Sequence, residues 1–69
     1  MKATKRQEVK DKLWRLDEDV ERMAAEVMRR TAAAWKATIE GGNVRAMLVH
    51  AYNEARALAD RIAATMEDL

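Results

Sequence analysis

The chain has 69 residues, thirteen Lys and Arg against twelve Asp and Glu, a net charge of +1, one histidine, and no cysteine, proline or serine. This composition excludes disulfides, thiolate metal sites and a serine nucleophile, and a near-neutral balance predicts an ordinary charged surface, not one that seeks polyanions. A domain this short buries too little of its surface to be stable without a staple, a metal or an oligomeric partner, and only the last is open to it.

No stretch approaches the ~20 consecutive apolar residues of a membrane helix, and Met1-Lys2-Ala3-Thr4-Lys5-Arg6 runs into charge where a signal peptide would turn apolar. No membrane association is expected, and the cytoplasm is the default location. The fold class expected is all-α: a single helical-hairpin domain over 1–69, with helix 1 at about 4–40, a turn at 41–43 and helix 2 at about 43–67. Both glycines sit together as Gly41-Gly42, and the residues on either side favour helix. Thr4 and Gln7 have the spacing of a capping box, Gly41 suits the left-handed position after a helix, and Asn43 is a good N-cap for the second helix.

In helix 1, Val9, Leu13, Leu16, Val20, Met23 and Val27 alternate spacings of four and three, a coiled-coil seam. That frame would next place Arg30 in the seam, whereas Thr31, Trp35 and Ile39 continue the apolar face by steps of four, so a stutter is expected there. Helix 2 carries Val44, Leu48, Ala51, Ala55, Leu58, Ile62, then Thr65 or Met66, and Leu69, broadened by Met47, Tyr52, Ala59 and Ala63. A stripe that wide can touch two neighbouring helices. The alanines at 51, 55, 59 and 63 would admit a close neighbour, with Trp35 and Met23 filling the space opposite.

At ~1.5 Å per residue helix 1 exceeds helix 2 by about ten residues, leaving an overhang near Val9 and Leu13. Two helices also enclose no interior, so a homo-oligomer is expected, a dimer ahead of a tetramer, with a heterologous protein partner as the other possibility. The self-association seam is assigned to Val9, Leu13, Leu16, Val20, Met23, Val27, Trp35, Leu48, Leu58 and Ile62. Lys10 and Lys12 flank it one heptad before Asp17 and Asp19, a pattern that is self-complementary in the antiparallel sense. Two copies of helix 1 crossing about an axis between Trp14 and Arg15 would set Lys10 against Asp17 and Lys12 against Asp19 of the other copy. The competing arrangement stacks two hairpins into a compact four-helix bundle. It resembles in topology the small plasmid RNA-binding regulator Rop, a hairpin dimer of similar length; the resemblance includes no shared motif and implies no functional residues, and the unequal helices depart from it.

Residues for chemistry are sparse. His50 and Glu54 stand one turn apart, but the Glu-x-x-His spacing of di-iron bundles is missing, and the methionines occupy core-like spacing where they fill gaps in preference to ligating haem. Gly41-Gly42 follows no strand, so it is no phosphate loop. No cofactor, no metal and no catalytic residue is assigned, and the chain is read as a non-enzyme. The function expected is a self-associating helical scaffold or protein-interaction module. A second reading makes it a small nucleic-acid-binding regulator: residues 1–15 hold six basic against two acidic side chains, and Lys2, Lys5, Arg6 and Trp14 would contact phosphates and bases. The adjacent acidic segment, available to pair with that arm in a partner chain, outweighs it. A third reading is a designed bundle hosting a ligand, which the lack of cysteine and proline favours and the threonines Thr31 and Thr65 oppose.

Overall fold

A computed structural model describes residues 3–69, with side chains from Lys5 onward. Two α-helices make up the described chain, α1 over Ala3–Glu40 and α2 over Val44–Asp68, packed antiparallel into a hairpin 57 Å in its longest extent. Helix 1 begins at Ala3, so Thr4 lies inside it; the Thr4 side chain falls outside the described set, and Gln7 donates forward to Asp11 Oδ1 at 3.1 Å. Gly41 takes φ +81° and its N–H reaches Ala37 O at 3.0 Å, the single-bond left-handed termination in which only glycine is free of Cβ strain. Asn43 then caps α2, its side chain accepting from Ala46 N at 3.0 Å. A Cβ on Gly42 would stand 3.2 Å from Ala37 Cβ, which shows how tightly the turn folds back onto the end of α1.

That closeness decides which residues face inward. The stutter expected after Val27 does not form on the interhelical side. The heptad frame carries straight on through half-buried Arg30 to Ala34 and Ala37, which are 4% and 9% exposed, while Thr31 is exposed and Trp35 and Ile39 are 69% and 72% exposed. A three-residue link holds the axes too near for an indole to lie between them, so alanines take the inner positions and Trp35 is turned out. Trp35 therefore fills no space opposite the α2 alanines, whereas Met23 is half-buried.

On α2 the broad stripe splits in two. Val44, Met47, Ala51, Glu54, Leu58, Arg61, Ile62 and Thr65 are half-buried or buried against α1, and Leu48 and Ala55 lie outside that seam, exposed. Buried apolar residues amount to Ala34, Ala37 and Ala51, and no large side chain is fully buried among the described residues. The hairpin has a seam but no core.

The turn generates two comparable expectations. Gly41→Ala should destabilise the fold by about 1–2 kcal/mol through left-handed backbone strain. Asn43→Ala should cost about 1 kcal/mol and Asn43→Gly only a few tenths. Denaturant melts followed by circular dichroism would check both; equal losses for the two Asn43 variants would mean that the side chain does not cap.

Candidate functional site: the two long faces of the hairpin

The register follows from two interhelical ion pairs. Lys12 Nζ lies 3.1 Å from Asp68 Oδ2 and donates to Asp68 O at 3.2 Å, and Arg61 Nε donates to Asp19 Oδ2 at 3.0 Å. Residue n of α1 therefore stands level with residue 80 − n of α2, and the segment before Lys12 projects beyond the end of α2. Arg61 also donates through Nη1 to the buried hydroxyl of Thr65, which in turn donates to Arg61 O at 3.2 Å. Arg22 adds a second guanidinium to Asp19 at 2.8 Å.

All these groups occupy one long face. Lys12, Asp19 and Glu26 repeat by seven on α1, as do Glu54, Arg61 and Asp68 on α2, so in antiparallel register the first two levels match opposite charges and the third sets Glu26 level with Glu54. Glu26 is bound by Arg29 at 3.0 Å and by Arg30 at 3.4 Å, which offsets the like-charge level. Arg30 extends its stem along the seam, and its Nε is buried without a hydrogen bond.

The opposite long face is apolar. On α2, Leu48, Tyr52, Ala55, Ala59, Ile62, Met66 and Leu69 alternate spacings of four and three over the whole helix, and every one is exposed except half-buried Ile62. On α1 the same flank carries Leu13, Ala24, Thr31 and Thr38 beside the seam residues Val20, Val27 and Ala34, and it is interrupted by Asp17. In an antiparallel pair the positions on the same flank of each seam lie on the same side, so the two stripes share one surface and the ion pairs share the other. Met28, Trp35 and Ile39 extend the apolar surface around the outer side of α1.

The residues expected to drive self-association fall into two groups. Leu16, Val20, Met23, Val27, Leu58 and Ile62 are half-buried in the intrachain seam, Val9 is half-buried on the projecting segment, and Leu13, Trp35 and Leu48 are exposed. Of the charges expected to select orientation, Lys12 and Asp19 bind α2 of their own chain, and Lys10 and Asp17 are exposed. Sequence reasoning missed Arg61 and Asp68 as their partners; the signal was the equal spacing of seven on both helices. Lys5, Arg6 and Trp14 are exposed, and Lys2 lies outside the described residues. His50 is exposed and Glu54 half-buried, and no three His, Asp or Glu side chains cluster as a metal site among the described residues. Among the described residues no helix is long and apolar enough to cross a membrane. No protein-family model, curated protein or solved structure matches this chain.

The ion pairs differ in burial: Arg61 and Asp19 side chains are 35% and 28% exposed, against 39% and 66% for Lys12 and Asp68. A double-mutant cycle on Asp19 and Arg61 should return a coupling of about 1 kcal/mol and one on Lys12 and Asp68 less than about 0.5 kcal/mol, the second falling further in high salt. Equal couplings would place both pairs in the same solvent environment.

Proposed function

We propose that this chain is a non-enzymatic helix-docking module, whose physical activity is assembly with other helices through its apolar long face. The observation that carries this reading is the second heptad seam on α2, Leu48 to Leu69, of which Ile62 alone is half-buried against α1 and the other members are exposed. A sustained four-three alternation is the pattern of residues that pack into a facing helix, and scattered exposed apolar residues do not produce it.

The area supports the same conclusion. The hairpin exposes 5661 Å² for 7.9 kDa, where a compact monomer of that mass exposes roughly 4,400 Å². The excess, roughly 1,200 Å² per chain, is of the size that obligate protein interfaces cover. The surface also divides by chemistry, with interhelical ion pairs on one face and large apolar side chains on the other, where the α2 stripe carries no charge and Asp17 interrupts the α1 side.

Leu48→Glu and Met66→Glu test this reading, since both positions are exposed in the hairpin and a charge there costs an isolated chain little. Light scattering on a sizing column, with circular dichroism on the same samples, should show wild type assembling and losing helix on dilution. Each variant should be driven toward monomer and lose helicity at equal concentration. Wild type that stays fully helical and monomeric at high concentration would overturn the reading.

A further inference from the structure

We infer that the occupant of the apolar face is a second copy of this chain, laid antiparallel so that α1 stacks on α1 and α2 on α2 with the two turns at opposite ends of a four-helix bundle. This rests on the docking reading above and adds the partner and its orientation.

Three observations lead there. The first is the area, because the roughly 1,200 Å² by which each chain exceeds a compact monomer, if hidden on both copies, totals the area of an obligate homodimer. The second is length. The midpoint of α1 lies at residues 21–22, level with residues 58–59 of α2, so a two-fold axis through that level aligns α1 end to end with its counterpart and passes beside Ala59. Residues 5–11, which have no α2 beside them, then lie over residues 32–38 of the partner. With both turns at the same end, the two projecting segments would instead emerge together and neither would be covered.

The third is the order of side-chain sizes along α2. About this axis Ala59 meets the partner's Ala59, Ala55 meets the partner's Ile62, Tyr52 meets the partner's Met66, and Leu48 meets the partner's Leu69. Small residues stand at the axis, where a residue faces its own copy, and the flexible methionine receives the ring. On α1 the same axis brings Val20 against the partner's Ala24 and Leu13 against the partner's Thr31. Turns at the same end would set α1 against α2 of the other copy, with Leu13 on the partner's Met66 and Val27 on the partner's Tyr52. The α1 half carries Asp17 and several small residues, so the α2 pairing forms the apolar centre of the bundle.

The test combines two single-cysteine variants of this cysteine-free chain with the mass measurement. Ala59→Cys should cross-link to dimer under mild oxidation, because residues facing their own copy at a two-fold axis come within disulfide reach, and Ala64→Cys on the ion-paired face should not. A nitroxide on Lys36→Cys, an exposed position near the turn, should report a distance of about 40 Å between copies, from 28 residues of axial separation at ~1.5 Å each. A dimer by mass with a label distance of about 20 Å, or one in which Ala59→Cys fails to cross-link, would overturn this arrangement and leave the docking reading standing. A monomer by mass would overturn both.

Discussion

The rest of this structure depends on how closely α1 and α2 approach each other. Gly41 ends one helix, Asn43 starts the next, and a Cβ at position 42 would already crowd Ala37. Toward the turn the fully buried positions of the seam are alanines, Ala34, Ala37 and Ala51, with Arg30, Val44 and Met47 half-buried beside them. Alanines bury little area, and the hydrophobic stabilisation they bring scales with that area. The close seam thus sets the relative position of the helices firmly while supplying little of the apolar burial that a stable fold requires.

Large side chains excluded from the seam must go somewhere, and they are not distributed evenly. Lys12 with Asp68 and Asp19 with Arg61 take one flank, where Thr65 closes the network around Arg61 and Glu26 is held by Arg29 and Arg30. Leu48, Tyr52, Ile62, Met66 and Leu69 take the other flank. Ion pairs at part-exposed positions contribute modestly to stability, yet they specify register, because a slip of one residue would break both interhelical pairs together. Register in turn keeps the apolar stripes of the two helices side by side as one surface. The charged face therefore governs the shape of the face opposite it.

On the proposed docking reading, stability and assembly are tied together in a chain built this way. Each helix shields one side of the other, and the apolar side left over is long, continuous and patterned for helices.

Much of the architecture was legible in the residues. The absence of proline, the paired glycines and Asn43 mark two helices and their junction, because those effects are local and need no tertiary context. The seam from Leu16 to Val27 was equally readable from its spacing. Three features were not. The direction of Trp35 and Ile39 depended on interaxial distance, which a periodic pattern does not contain. The division of the α2 stripe into inner and outer seams depended on rotation of the helix about its axis, and Leu48 and Ala51 are equally plausible inner residues until α1 is in place. The partners of Lys12 and Asp19 depended on register, which the turn and the two interhelical ion pairs fix together and which no composition records. Sequence alone determined that there are two amphipathic helices with more apolar surface than each can hide in the other; the tertiary structure decided which apolar residues are hidden, because only a fixed distance, rotation and register between the helices can separate a buried stripe from an available one.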